Sequence, residues 1–469
     1  MVSVRRSILG LVAVAAVGTV ATAQPPPGQP QQPPANPTTT PPPETPTENW
    51  APPLQETPPR EAEGAPANER EMTSDPTTSG ASTTATSAEG DKEDDGTTLE
   101  IYGHAMLDSG FDFGKIGDPN WQDVLRPTKL PAFRNEFGTG PRTFLSVRQT
   151  RFGVKSTTPT SVGEVKSQFE FELFGVGVDE GQTTFRLRHA YGDWKGLRAG
   201  QTWSPFMDID VFPNSIEYWG PNGMVFFRNV QLAYMPVRGE YSRVTVALER
   251  PGASPDTGIY TGRVEIENVV SRFPAPDVSG EARFGGPWGY VEVAGIVRWI
   301  EWDDLDPTLP RVDGSAFGWG VNLSSNVKLG PALLRLQGVY GRAIENYMND
   351  AGADIGPRMT GNPDEPVKGV SLPVLGLVGF VDMEWSKYLT SSAGWSMVWI
   401  DNSEDQTPDA FHVGHYALGN LLVHPTDRLM FGGEFQFGRR ENNSDGFDVN
   451  DFRIQFSVKY AWSKTFGGE

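Results

Sequence analysis

The sequence has 469 residues, enough for one large or several ordinary domains, and a formal net charge of −20. It contains no cysteine, which excludes a disulfide framework and a thiolate metal site. Glycine and tryptophan are abundant, with 53 and 13 residues, although the mean hydropathy is −0.40. A chain that is polar on average yet rich in aromatic residues is unusual for an acidic soluble enzyme.

The first residues carry the pattern of a secretory signal peptide. Two arginines precede an apolar run from Ile8 to Val20, and small residues suited to cleavage end at Ala23. The run is shorter than the roughly 20 residues that a membrane-spanning helix requires. We therefore predict a signal peptide over residues 1–23 and a mature chain that begins at Gln24.

Residues 24–97 are dominated by proline, threonine, serine, glutamate and alanine. Few apolar side chains are present to offset the entropy of ordering, so we interpret the segment as a disordered periplasmic spacer, with a proline-rich partner motif as the alternative. It contains thirteen acids and three bases, a charge of −10. The two arginines of the predicted signal peptide add +2. Residues 98–469 therefore carry −12 of the total charge of −20.

The sequence from residue 98 onward predicts long β-strands. Between Phe317 and Leu329, aromatic and aliphatic side chains alternate with glycine, asparagine and serine, and residues 427–439 and 449–462 show the same period of two. These runs of roughly a dozen residues exceed the about 5–6 residues of strands in soluble sandwiches. They fit a transmembrane barrel, whose strands of about 9–11 residues turn an apolar face to lipid and a polar face to the lumen.

About sixteen such strands are predicted, and their connections alternate between short turns and long loops. The long loops lie near residues 115–140, 204–223, 251–277 and 347–373. An even number of strands with turns at one end and loops at the other is typical of bacterial outer-membrane barrels, and a barrel of this size leaves an aqueous channel. We therefore predict an all-β fold over residues 98–469, a transmembrane antiparallel β-barrel of about 16 strands.

One predicted strand, TTFRLRHAYGDW at residues 183–194, carries a cationic face. Arg186 and Arg188 alternate with an apolar face made of Phe185, Leu187, His189 and Tyr191. Arginine on the lipid side would cost roughly 2–4 kcal/mol near the midplane, so both arginines are expected in the lumen and the apolar face, including Tyr191, in lipid. The preceding strand directs Glu170 and Glu172 inward, and the alternative is that the arginines only neutralise these carboxylates.

Further arginines collect nearby in the sequence. Alternation predicts that Arg198 faces inward, whereas Arg148 and Arg151 fall on opposite faces and share the lumen only if the strand contains a bulge. Arg228 has the parity of its apolar neighbours, so it requires a bulge or a strand end to face inward.

The loop at residues 204–223 carries the acids Asp208, Asp210 and Glu217. In a wide barrel such a loop can fold inward as a constriction, and we predict that this third loop does so. Its acids would then face the arginine wall and create a transverse field. An exposed outer loop is the alternative.

Several segments together resemble the DcaP-like family of outer-membrane porins. They are RFGVKSTTP, GEVKSQFEFELFG, TTFRLRHAYGDW, the loop segment from AGQTW to VQLAY, and the closing RIQFSVKYAW. The resemblance implies a sixteen-stranded trimer that passes small anionic solutes, notably dicarboxylates, past arginines near an inward third loop. By position, the pore-lining residues it implies are Arg148, Arg151, Arg186, Arg188, Arg198 and Arg228.

Two features depart from that family. Residues 24–97 show no heptads, although family members often carry a periplasmic coiled coil there. Outer-membrane barrels usually end on an aromatic residue, whereas this chain continues past Phe466 to Glu469, so the closing aromatic is either Trp462 or Phe466.

Other chemistry is weakly represented. His412, His415 and His424 are close in sequence but differ in strand parity, so they are interpreted as ordinary strand and loop residues. We expect no catalytic residue, cofactor, metal site or nucleic-acid partner, and no enzymatic activity. The predicted function is an outer-membrane porin for small, preferentially anionic solutes, in contact with outer-membrane lipid and assembled as a homotrimer. The alternatives are a general or sugar-selective porin, or a structural barrel.

Overall fold

A computed structural model describes residues 96–114, 117–138, 140–261, 263, 268–305 and 312–467. The predicted signal peptide and residues 24–95 of the predicted spacer lie outside the described residues. Among the described residues no helix is long and apolar enough to cross a membrane. The helices present there are 3-10 turns of three residues: Pro119–Trp121, Pro127–Lys129, Gly177–Asp179, Ile209–Val211, Gly258–Tyr260 and Glu345–Tyr347.

Twenty strand segments are present in the described part of the chain. In chain order they are β1 (Thr98–Asp112), β2 (Arg142–Ser146), β3 (Arg151–Thr158), β4 (Val165–Phe174), β5 (Thr183–Trp194), β6 (Leu197–Trp203), β7 (Arg228–Arg238), β8 (Ser242–Glu249), β9 (Val269–Arg272), β10 (Asp277–Gly286), β11 (Gly289–Asp304), β12 (Gly314–Leu329), β13 (Ala332–Arg342), β14 (Ile355–Asn362), β15 (Glu365–Ser371), β16 (Pro373–Ser386), β17 (Leu389–Ile400), β18 (Phe411–Thr426), β19 (Leu429–Asn442) and β20 (Asp448–Phe466).

These segments form a closed antiparallel barrel of sixteen strands, as the sequence predicts. β2 and β3 are parts of one barrel strand because both pair with β1, and β9 with β10 forms another because their pairing with β11 is shared. β14 and β15 form a separate hairpin. β1 also pairs with β20, from Leu99 opposite Phe466 to Asp112 opposite Arg453, which closes the barrel. Phe466 is therefore the last aromatic residue of the closing strand.

The period of two in the sequence becomes two faces of the wall. On β12, Val321 and Leu323 are half exposed on the outside, at 50% and 53%, whereas Asn322 and Ser324 are almost completely buried inside. Apolar side chains on the outside meet lipid, and the polar side chains inside hold the loops that enter the barrel.

The connection between β6 and β7, L3 (residues 204–227), folds into the barrel interior, as predicted. Its backbone is hydrogen bonded to inward side chains of three distant strands. The bonds are Asn322 Nδ2 to the Phe206 carbonyl (3.0 Å), the Gly223 amide to Ser396 Oγ (2.9 Å) and the Ile216 amide to Glu434 Oε2 (3.0 Å). L3 therefore crosses the lumen and contacts β12, β17 and β19.

Two further loops enter the same space, which the sequence did not predict. L1 (residues 113–141) and L6 (residues 343–372) meet at Arg126 Nε and Asp350 Oδ1, 2.9 Å apart and both buried. The predicted long loop at 347–373 thus contains the β14–β15 hairpin and a segment that packs against L1 and L3.

The register of β5 differs from simple alternation. The pairing shifts between Glu170 and Phe171, so that Glu170 lies opposite His189 and Gln168 opposite Tyr191. This β-bulge turns His189 and Tyr191 inward, where Tyr191 Oη donates to Gln168 Oε1 at 2.8 Å. The prediction that Tyr191 faces lipid is therefore wrong, while Phe185, 79% exposed, does lie outside.

Candidate functional site

Four arginines contact two carboxylates near the point where β6 ends and L3 begins. We call these arginines the arginine cluster. It comprises Arg151 of β3, Arg186 and Arg188 of β5, and Arg228 at the first residue of β7, and the carboxylates are Glu170 and Glu172 of β4. The six formal charges sum to +2 in a protein that is acidic overall.

Arg188 is held by both carboxylates. Its Nε lies 2.5 Å from Glu170 Oε1 and its Nη1 lies 2.8 Å from Glu172 Oε2, and its side chain has no exposed surface. Charge-assisted bonds of this kind are roughly twice as strong as neutral ones. Arg188 is therefore committed to these glutamates.

The other three arginines make longer ion pairs. Arg151 and Arg186 lie 3.5 Å from Glu170 and Glu172 respectively, and Arg228 Nη2 lies 3.8 Å from Glu172 Oε1. None of the three nitrogens of Arg228 donates a hydrogen bond to a described residue, although this residue is only 3% exposed. Arg228 instead lies over the ring of Trp203, at 5.1 Å from its centroid.

L3 covers the arginine cluster through Tyr218. The Tyr218 hydroxyl donates to Glu172 Oε1, and Arg186 Nη1 donates to the same hydroxyl at 3.3 Å. The Tyr218 ring stacks on Phe174 at 3.7 Å. Burial raises the pKa of the Tyr218 phenol, so it remains a neutral donor to Glu172.

The two remaining predicted arginines lie apart from the cluster. Arg148 Nη1 contacts Asp123 of L1 at 2.6 Å, and its guanidinium lies over the Phe174 ring. A turn at residues 147–150 interrupts the strand, so Arg148 and Arg151 both face inward. This turn takes the place of the bulge that strict alternation would require. Arg198 faces inward near the short turn after β5 and forms a two-point ion pair with Asp193, at 2.8 Å for each bond.

The acids of L3 do not face the arginine cluster, so that prediction is wrong. Asp208 and Asp210 contact Arg283 of β10, at 2.6 and 2.5 Å, and Tyr290 of β11 donates to Asp208 at 2.7 Å. These bonds fix the start of L3 to a different part of the wall. Burial raises the pKa of the Asp208 carboxyl, although Arg283 stabilises its ionised form.

Glu217 joins L3 to L1 and to β18. Its carboxylate accepts from the Leu125 amide at 3.1 Å and from Tyr416 Oη at 3.2 Å, and also from the Gly220 amide. Burial raises the pKa of Glu217 to about 7, against the lowering effect of its backbone donors. Sequence reasoning placed Glu217 on the correct loop but not with these partners.

A further buried arginine, Arg126, connects three loops. Arg126 of L1 lies between the rings of Trp121 and Trp219, at 4.3 and 3.9 Å from their centroids, while its Nε contacts Asp350 of L6. Trp219 Nε1 in turn donates to the Asn349 carbonyl at 2.8 Å. We call these five residues the three-loop clasp. The sequence contains no periodic signal that identifies it.

Comparisons with known proteins match both sequence and fold. The family model described as DcaP outer membrane protein matches residues 78–329. The outer membrane channel DcaP of Acinetobacter baumannii is 19% identical, with a TM-score of 0.65 over 80% of this chain and 100% of that chain, a likeness that shows the fold. An anion-selective porin from Comamonas acidovorans is 10% identical, with a TM-score of 0.49 over 78% of this chain and 100% of that chain. That score is too low to carry an argument.

No curated protein sequence matches the chain. The family model nevertheless covers more than half of the sequence, and the sixteen-stranded barrel agrees with it. The chain therefore belongs to the DcaP outer membrane protein family and is a β-barrel porin of the bacterial outer membrane.

Proposed function

We propose that the protein passes small anions by passive diffusion and that the arginine cluster sets this preference. The observation that carries the proposal is the net charge of +2 beside L3, the loop that crosses the lumen. Selectivity in channels is set by charges at the constriction and not by the net charge of the protein. The −12 on residues 98–469 is thus compatible with anion preference.

The arginine cluster acts on a passing ion mainly through its electric field. Its members are between 0% and 7% exposed, so direct contact with a solute requires Tyr218 to move. A dicarboxylate interacts more strongly with the field than chloride because it carries two charges. Small dicarboxylates are therefore the proposed preferred class, and Arg148 and Arg198 are proposed as flanking cationic positions on the same route.

The sugar-selective alternative requires aromatic faces that are open to the lumen. Trp219 and Tyr218 lie inside the barrel but are 1% and 0% exposed. Tyr102 and Tyr191 are partly exposed inside, yet Tyr102 donates to Glu170 and Tyr191 to Gln168. These contacts favour the passage of anions over the stacking of sugars on exposed aromatic rings.

The proposal is tested by solute flux into liposomes. Replacing Arg151 and Arg186 together by glutamine leaves the bonds of Arg188 in place, and we expect succinate flux to fall more than the flux of a neutral sugar of similar size. Arg272, exposed and ion paired with Asp303, provides a matched control as R272Q. Equal losses for succinate and sugar in a folded barrel would overturn the proposal.

Homotrimeric assembly is proposed on the family resemblance. The mass of the purified protein with its detergent subtracted, measured by light scattering, distinguishes a trimer from a monomer.

A further inference from the structure

A polar crevice of about 570 Å³ lies at the loop end of the barrel, between β12, β13, the β14–β15 hairpin and the loop after β17. Its wall includes Phe317 of β12 and Arg342 of β13, which both lie on the outward faces of their strands. The β14–β15 hairpin contributes Arg358, and the loop after β17 contributes Asp401 and Glu404. The crevice therefore lies on the membrane-facing side of the loop end.

Aromatic residues fix the depth of this crevice relative to the membrane. Trp299 contacts Phe317 and Trp319 contacts Tyr340, with ring centroids 5.7 and 5.9 Å apart, on adjoining strands at the loop end. Such rings form the girdle at the membrane interface, and long loops lie on the external side. Arg342 follows Tyr340 on the same face, roughly 7 Å closer to the loops for a strand rise of about 3.3–3.4 Å per residue. Arg342 therefore lies on the loop side of the girdle, where the headgroups of the outer leaflet are expected.

The two arginines of the crevice have no polar partner within the described part of the chain. Neither Arg342 nor Arg358 forms a hydrogen bond or an ion pair there, and both are exposed. Arginine binds phosphate through two parallel N–H bonds, and two arginines in one crevice suit a phosphate monoester. Asp401 and Glu404 on the same wall are suited to accept hydrogen bonds from hydroxyl groups.

The surface below the crevice suits acyl chains. Val321, Leu336 and Leu377 face outward beneath the girdle and are 50%, 40% and 37% exposed. A ligand with phosphate and hydroxyl groups at one end and acyl chains at the other would contact the arginines, the carboxylates and this apolar wall together. Inorganic phosphate would contact only the first of these.

We propose that this crevice binds the headgroup of a phosphorylated glycolipid of the outer leaflet, with Arg342 and Arg358 on its phosphate. The site lies outside the lumen and is independent of the proposed anion channel. Its loss should therefore leave conductance and ion selectivity unchanged.

The test measures lipid binding by native mass spectrometry of the full-length protein in detergent. The probe is a bisphosphorylated, acylated glucosamine disaccharide, with its dephosphorylated form and inorganic phosphate as comparisons. We expect R342Q/R358Q to bind the phosphorylated probe at least about tenfold more weakly, the scale of one or two lost charge-assisted bonds. The matched control is R439Q, since Arg439 is also outward at the loop end but is paired with Glu441 and Asp448.

Three outcomes would overturn the proposal, provided that heat-modifiability confirms a folded barrel. The first is equal affinity of the double variant and the wild type for the phosphorylated probe. The second is an equal arginine dependence for the dephosphorylated glycolipid. The third is arginine-dependent binding of inorganic phosphate without binding of the glycolipid, which would identify a site for anions from solution.

Discussion

Arg186 and Glu172 allow the charge of the arginine cluster to be changed in both directions. Arg186 Nη1 lies 3.5 Å from Glu172 Oε1, so the two charges are at nearly the same distance from an ion in the lumen. R186Q lowers the formal sum of the cluster and its glutamates from +2 to +1, and E172Q raises it to +3. The double variant R186Q/E172Q restores +2 with neither side chain charged.

The size of the effect follows from Coulomb's law. A unit charge roughly 8 Å from a passing ion contributes about 0.5 kcal/mol at the dielectric constant of water and about 2 kcal/mol at an effective value of about 20. Anions and cations respond with opposite signs, so even the lower value corresponds to a change of about fivefold in the chloride-to-potassium permeability ratio. Screening reduces this at high salt, since the Debye length is about 10 Å at about 0.1 M.

The assay is the reversal potential of single channels in a potassium chloride gradient at low ionic strength. R186Q should reduce the preference for chloride, E172Q should increase it, and the double variant should return to the wild-type value. Barrel folding is checked by heat-modifiability on gels. If R186Q has the wild-type reversal potential in a folded barrel, the arginines only balance Glu170 and Glu172, and the reasoning is refuted.

Three further predictions concern the loops, the pH dependence and the N-terminal segment. R126A removes the cation between Trp121 and Trp219 and leaves Asp350 buried without its charge partner. The temperature of barrel unfolding should therefore fall, consistent with a loss of stability on the order of 3–5 kcal/mol, and open-channel noise should rise. An unchanged unfolding temperature would contradict the three-loop clasp. Glu217 has a pKa of about 7 in the folded protein and about 4.3 in the unfolded chain. Between pH 4.3 and pH 7, roughly, the folded protein binds the proton more tightly than the unfolded chain does. Stability therefore falls as the pH rises through this range, by at most about 1.4 kcal/mol per pH unit. E217Q should therefore reduce the fall in unfolding temperature between pH 5 and 7, and a slope equal to that of the wild type would exclude Glu217 as its source. Deletion of residues 24–97 should leave a heat-modifiable barrel because β1 begins at Thr98, whereas loss of the barrel would show that the segment is needed for folding.

The barrel was predictable because one face of each strand meets lipid. That requirement imposes a period of two over most of a strand, as between Phe317 and Leu329, and it also predicted the inward positions of Arg186 and Arg188. A β-bulge shifts the alternation of side chains between the two faces of a strand, and the sequence pattern does not show where this happens. His189 and Tyr191 retain the sequence parity of Phe185, yet the bulge at Arg188 turns both inward, and alternation alone could not predict this.

The contacts between loops were not predictable from the sequence for a different reason. Arg126 and Asp350 are 224 positions apart and lie in segments without periodicity, so neither local pattern identifies the other. The partner of Asp208 was missed in the same way. Arg283 lies on a predicted strand, but only the path of L3 across the lumen brings it within 2.6 Å of this acid.

The central claim is that the channel prefers anions although residues 98–469 carry −12. The most direct test is the reversal potential of the wild-type protein, purified and inserted into a planar bilayer of neutral lipid, across a tenfold gradient of potassium chloride. The proposed role of the arginine cluster predicts a potential displaced toward the Nernst potential of chloride. A potential displaced toward that of potassium would contradict it, because the net negative charge of the protein, and not the cluster, would then control the channel.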